Sequence, residues 1–462
     1  ERRGTDTDEP GGDPATLPLP PYADTAWPHH LHVVPMMRDP LGFGEQLHTD
    51  RDVIRTWLPG QGDNYRLAPP DHLKRVFITD RDSFRKSADF DIAFGEGLLT
   101  VEGEEWQQQR QALQPLFTRD SVLGYDEGIV EMVQRRIDRW RAGQTLELQA
   151  EFTDMTLDVL FATILGRELE LDGDERLRTA AEDLHEWFVP TSYLLPAWVP
   201  TPARRRFRQA KAELLEEATR LLEERARDPP EDPTAATDLL SLLVGLREHG
   251  DADSGMLTDE RLRDQLVTIV FAGHDTTTTS LSFACWALAN YPDVRERFHA
   301  EVDELDGPPT AADVDDLQVT DNVVTETLRL YPPVYALPRR TTETIAVDGY
   351  RVPEDERVIL PIRAVHRDER FYDDPNEFRP DRWTDELRRE LPDFAYAPFG
   401  GGPRICIGRE FALLEAKLTL ATIGQQYDLE WLGENEPDGE PPVSPEMTLR
   451  LAPGQDFRIH ER

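Results

Sequence analysis

The sequence predicts a mainly α fold with a smaller β-rich part, and three stretches carry that reading. Asp154-Met-Thr-Leu-Asp-Val-Leu-Phe-Ala-Thr-Ile-Leu-Gly166 repeats apolar residues at helical spacing and stops at a glycine. From about Thr258 to Asn290 the same spacing runs on far beyond strand length, and Tyr291-Pro292 ends it, because the residue before a proline is driven out of the helical region. After Pro332 the pattern changes to short apolar runs broken by prolines as far as Phe399, which reads as strands and turns.

Taken in order, residues 1–30 are poor in apolar side chains and rich in Pro, Gly and Asp. They read as a flexible N-terminal arm, and 31–462 as a single domain. Tyr65 to Arg81 mixes short apolar runs with Pro69 and Pro70, which suits strands and a short helix. From about Gly103 to Leu222 the pattern is largely helical. Glu182 to Trp198 is aromatic and cut by Pro190 and Pro196. Arg204 to Arg227 reads as a charged helix, and Asp228 to Thr237 as a Pro- and acid-rich connector. The β-rich material is split between the two ends, and an apolar helix is expected from Ile407 to about Thr422.

Composition narrows the function classes. The formal charge is −39, with the acid spread along the chain, and lysine occurs only at positions 74, 86, 211 and 417. Dispersed acid is a solvated surface and argues against nucleic-acid binding, which needs basic surface. It suits a protein working in concentrated salt, where screening removes the self-repulsion, so a halophilic source is expected. The two cysteines, Cys285 and Cys406, do not make a disulfide framework. Cys285 sits among apolar residues and reads as core. No apolar run reaches the roughly eighteen residues of a membrane span, and no signal-peptide segment opens the chain. A cytoplasmic protein without a transmembrane anchor is expected.

The chemistry concentrates in a few separated stretches. Phe399 to Gly408 reads Phe-Gly-Gly-Gly-Pro-Arg-Ile-Cys-Ile-Gly, a glycine-rich loop that delivers Cys406 to a helix start. Amides and the dipole there favour a thiolate. Ala272-Gly273-His274-Asp275-Thr276-Thr277 sets threonines and an acid inside the long helix, where each threonine costs up to about 0.7 kcal/mol relative to alanine. Back-bonded hydroxyls and a salt-bridged Asp are the plain structural alternative. Glu326 and Arg329 are three apart on one helix face, and Phe378-Arg379-Pro380-Asp381-Arg382-Trp383 follows. Trp106 and Arg110 share another helix face. The eleven histidines show no metal-like cluster, and no dinucleotide or P-loop fingerprint occurs.

These stretches together resemble the cytochrome P-450 family of haem-thiolate monooxygenases, over nearly the whole chain after about residue 60. The resemblance implies a triangular helical domain around a buried haem b (iron protoporphyrin IX), with Cys406 as the iron ligand. It implies that Gly273 lets the helix approach the haem and opens room for O2, that Thr276 bonds the bound oxygen or a water, and that Asp275 relays protons from solvent. Trp106, Arg110, Arg339 and Arg404 would hold the haem propionates, with Arg340 competing with Arg339. Phe399, Ala272 and Gly408 would border the haem and its thiolate. Glu326, Arg329 and Arg382 would form a buried charge network fixing the Cys406 loop, and Trp383 in place of the more usual Phe is expected to change little. Leu99, Phe188, Ile269, Ala272, Val334 and Leu337 are the pocket candidates, with Phe90, Phe94, Leu194 and Leu195 behind them. An apolar lining implies a hydrophobic small-molecule substrate: a fatty acid, a terpenoid or a carotenoid-like molecule. With no reductase fingerprint present, the electrons are expected from a ferredoxin or similar electron-transfer protein. A peroxide-using haem-thiolate enzyme and a haem sensor or storage protein are the alternatives; neither has the same need for the Asp275-Thr276 pair.

Overall fold

The computed structural model describes residues 13–47, 51–58, 61–87, 91–189, 199–229, 236–249, 258–436 and 439–462. The chain divides into two compact units, one made of Glu1–Ser87, Tyr335–Pro375 and Leu391–Arg404, the other of Ala88–Val334, Asn376–Glu390 and Ile405–Arg462. As expected, the fold is mainly helical with a smaller sheet part.

The first unit is built on a five-stranded sheet in the order Val53–Leu58, Gly62–Leu67, Arg357–Leu360, Leu337–Thr341, Phe84–Lys86. Its one parallel pairing sets Tyr65 opposite Val358, and the other pairs are antiparallel. Successive side chains of a strand point to opposite faces, so Tyr65, Leu67, Val358 and Leu360 go to one buried layer. Leu73, Val76 and Phe77 complete that core. Near the N-terminal end, Pro21 and Ala23 exchange backbone hydrogen bonds with Arg55 at 3.0 and 2.9 Å.

The second unit is organised by the helix Asp259–Asn290, called the long helix below. Thr258 caps it by accepting the Arg261 N–H at 3.3 Å, Asp259 and Glu260 complement its N-terminal dipole, and Tyr291-Pro292 ends it. It is buried on nearly every side, as a helix apolar all round must be. Leu148–Thr163 and Arg409–Gln426 pack against it. Thr156 ties the first of these in, bonding the His274 carbonyl at 3.1 Å and the Thr278 hydroxyl at 2.8 Å. Thr145–Glu147, Asp456–Glu461 and Tyr427–Trp431 form a three-stranded sheet, and Val443–Pro445 pairs with Leu449–Leu451. Cys285 is buried and both cysteines are free, in line with the sequence reading. No helix among the described residues is long and apolar enough to cross a membrane.

Candidate active site

Cys406 stands three residues before the Arg409–Gln426 helix, whose N-cap is Gly408. Its thiol is free and its side chain has open surface. Arg110, from the Gly103–Leu113 helix, donates through Nη1 to the Ile405 carbonyl at 2.7 Å and so fixes the peptide entering the cysteine. Crowding by protein pushes the thiol up, while the Gly408 N–H and the charges of Arg110 and Arg409 pull toward the thiolate. A metal cation bound at sulfur would complete the deprotonation. Trp106 lies on the same helix, nine-tenths buried, and the pair border an open cleft with Gln107 and Gln114.

In the first unit, the glycines of the loop answer to close packing. Gly402 has φ +64°, and a side chain there would collide with the Phe77 carbonyl; one at Gly401 would enter the Phe394 ring. Phe399 and Arg404 are half-buried in this unit. Arg340 is engaged by Asp355 at 2.8 Å, and Arg85 shares that carboxylate at 2.6 Å. Arg339, one residue earlier on the strand, points to the other face and bonds its neighbour's Pro338 carbonyl at 2.8 Å. Leu337 shares the Arg339 face and is half-buried.

On the long helix, Ala272 is exposed and Gly273 and Thr276 are half-buried, although the turns on either side are buried. Thr276 Oγ1 donates to the Ala272 carbonyl at 3.0 Å, which leaves the oxygen as an acceptor on the open face. Thr277 is back-bonded in the same way to Gly273 at 3.3 Å. A side-chain carbon at Gly273 would lie 2.9 Å from Leu160 Cδ1, so this glycine makes room for the neighbouring helix.

Asp275 points elsewhere and is 1% exposed. Three partners from outside the long helix hold it: the Thr448 hydroxyl donates at 2.5 Å, Arg450 Nη2 donates to Oδ1, and His185 Nε2 lies 3.5 Å from Oδ1. Burial alone would raise the carboxyl, but this surround holds it well below the usual carboxylate range. Burial pushes His185 down to about 3, so its ring is neutral at pH 7 and the Arg450 guanidinium is the charge that matters. None of these three residues was legible from the sequence, since no local pattern links them to Asp275.

Glu326 is fully buried and accepts from every side: Arg329 through Nε and Nη2 at 2.8 Å each, Arg382 Nε at 2.9 Å, and the Arg379 N–H at 2.9 Å. The Trp383 indole N–H also donates to it, at 2.9 Å. Trp383 is therefore part of the network, through a bond that a phenylalanine could not make. Arg329 and Arg382 extend the network to the Glu377 carbonyl at 3.2 and 3.0 Å.

Among the pocket candidates, Leu99 and Val334 are half-buried and Ile269 is buried. Phe188 is buried in an aromatic layer, with ring centroids 6.2 Å from Phe94 and 5.9 Å from Phe271. Phe90, Leu194 and Leu195 lie outside the described residues.

The family model Cytochrome P-450 matches residues 22–454. Cyclooctat-9-en-7-ol 5-monooxygenase of Streptomyces melanosporofaciens is 31% identical over 407 residues, 86% of this chain and 87% of that protein. Pentalenene oxygenase of Streptomyces avermitilis is 32% identical over 421 residues, 88% of this chain and 90% of that protein. A retinoic acid-bound cyanobacterial cytochrome superposes with a TM-score of 0.82 at 27% identity, covering 97% of this chain and all of the other.

Proposed function

The chain belongs to the cytochrome P-450 family of monooxygenases, and on that premise we propose that it inserts one atom of O2 into a terpenoid-like hydrophobic small molecule. Electrons would come from a ferredoxin-type carrier. The substrate class is supported by the two Streptomyces relatives, whose names give cyclooctat-9-en-7-ol and pentalenene as the molecules oxygenated. The observation that carries the reading is internal to the second unit. The accessible Cys406 thiol precedes a helix that packs on the long helix, whose Ala272–Thr276 turn is open.

The residues fit a haem b. Within the second unit Cys406 offers an exposed cysteine, Ala272 an open face without a bulky side chain, and Trp106 and Arg110 a donor and a charge of the kind buried propionates need; Arg339 and Arg404 are assigned to the propionates by the family resemblance alone. When bound, haem supplies the iron at which O2 is reduced. The protein's own part is positional and protonic. Arg110 holds the Ile405 carbonyl and with it the cysteine loop. Thr276 Oγ1, its own hydrogen committed to Ala272, accepts a hydrogen bond from whatever stands on the open face. Asp275, held ionised by Arg450 and turned away from the open face, would relay a proton there only by leaving Thr448 and Arg450. Retention of this acid–alcohol pair favours the monooxygenase reading over a peroxide-using enzyme.

The deciding measurement is the absorption spectrum of the reduced, carbon monoxide-bound protein, in high and in low salt. The strongly red-shifted thiolate-type band is expected in wild type and should vanish in Cys406→Ser. An imidazole-like band in wild type would overturn the ligand assignment. A thiolate band that needs high salt would fit a halophilic origin for a chain of net charge −39.

A further inference from the structure

Residues 95–98 lie against the N-terminal turns of the long helix, and buried polar side chains hold their backbone there. The Glu96 N–H donates to Asp264 Oδ2 at 2.9 Å, and the Leu98 N–H to Gln265 Oε1 at 3.2 Å. Gln109 reaches back to the Glu96 carbonyl at 2.9 Å and accepts from the Gln265 amide. Asp264, Gln265 and Gln109 are all buried, at 7%, 2% and 0% exposure. Arg261 adds an ion pair to Glu96 at 2.6 Å and another to Glu105 at 2.6 Å. Lys211, from the Pro202–Arg225 helix, is the cation whose field acts on Asp264. The fit is close: side chains at Gly95 and Gly97 would collide with Asp264 and Thr268.

Burying a carboxylate and two amides is unfavourable unless their bonds are made, and here those bonds serve the backbone of one loop. The placement gives the reason. Positions 264, 268, 272 and 276 are each four apart, so they form one ridge of the helix. The loop covers the start of the ridge that two turns later presents Ala272 and Thr276. Phe94, just before the loop, packs against Phe271 with centroids 4.6 Å apart and the rings tilted by 47°. Leu99, just after Leu98, is half-buried.

We propose that Asp264 and Gln265 are positioning residues for substrate specificity: by fixing the Glu96 and Leu98 amides they set the wall, from Phe94 to Leu99, beside the open Ala272–Thr276 face. The specificity role rests on the monooxygenase reading; the clamp itself does not. Asp264→Ala removes the acceptor of the Glu96 amide, Gln265→Ala removes the side-chain acceptor Oε1 that the Leu98 amide uses, and Asp264→Asn keeps an acceptor oxygen without the charge.

Two measurements test this. In the first, hydrogen exchange followed by mass spectrometry on peptides spanning 91–101 should accelerate about tenfold or more in Asp264→Ala and Gln265→Ala. Asp264→Asn should restore most of the protection. In the second, dissociation constants for geraniol and geranylgeraniol, read from the spin-state shift of the haem-loaded protein, should show the two alanine variants discriminating less between the short and the long alcohol. Unchanged exchange in both alanine variants overturns the clamp. Faster exchange with an unchanged ratio of dissociation constants overturns the specificity role. A wild type without the thiolate-type carbon monoxide band brings down the monooxygenase reading while leaving the exchange result to decide the clamp.

Discussion

The indole N–H of Trp383 donates to Oε2 of Glu326 at 2.9 Å, and both residues are buried. Glu326 Oε2 thereby has two charge-assisted or polar donors, Trp383 and the Nε of Arg329, while Oε1 serves Arg329, Arg382 and the Arg379 amide. A buried carboxylate tolerates its position only when its acceptor sites are filled. The tryptophan fills one that a phenylalanine cannot.

Trp383→Phe should therefore lower the free energy of urea unfolding by about 1–3 kcal/mol, the range for one hydrogen bond to a buried charged group. Arg329→Met, which removes two of the donors to Glu326 and one of its two cations, should cost more, about 3–5 kcal/mol. Equal stability of Trp383→Phe and wild type would mean that the indole bond contributes packing alone.

Arg450 and Asp275 make the second test. Arg450→Leu leaves Asp275 buried without its cation, with Thr448 and a neutral His185 as its remaining partners. The carboxyl should then rise into the working pH range and hold its proton. The amount of product formed per electron consumed should fall several-fold, and it should become pH-dependent between about pH 5 and 8. Arg450→Lys should keep part of the coupling. A coupling ratio in Arg450→Leu that matches wild type at every pH would remove Arg450 from the control of Asp275.

The contrast between these two sites and the rest of the molecule shows what a sequence displays. The long helix, the Cys406 loop and the Glu326–Arg329 pair were legible because each is written in neighbouring residues, as helical spacing, glycines before a cysteine, or an i,i+3 pair. Gly273 was legible as a glycine but not for its purpose, since only the packed structure brings Leu160 against it. The surround of Asp275 had no local signal: Arg450 lies 175 residues away in the chain and Thr448 lies 173 away. The same holds for the clamp on Glu96, whose partner Asp264 is 168 residues distant. Contacts of this kind are fixed by which helices pack, and side-chain periodicity does not report them.

Thr276→Ala removes the hydroxyl on the open face while leaving the helix a better helix former, so stability should hold or rise slightly. Reducing equivalents should still be consumed, but with product falling several-fold and hydrogen peroxide rising to match. Product per electron equal to wild type would take Thr276 out of the oxygen chemistry.

Glu415 carries the last prediction. It is 1% exposed on the Arg409–Gln426 helix, and its Oε1 has no hydrogen-bond partner among the described residues. Burial pushes its carboxyl up to about 8, against a weaker pull from the Thr277 hydroxyl on the long helix. The folded protein thus keeps this proton over a range in which the unfolded chain, with an ordinary value near 4.5, has lost it. Folded protein binds more protons there, so stability must fall as pH rises from about 4.5 to about 8 and level off above. The full drop is of order several kcal/mol, at about 1.4 kcal/mol per unit of separation. Glu415→Gln removes the titration without changing the shape. Urea midpoints measured from about pH 5 to pH 9 should therefore decline more steeply in wild type than in the variant, the difference closing toward the acid end. Parallel declines would show that Glu415 is ionised in the folded state, with a partner for Oε1 supplied on binding of a ligand or solvent.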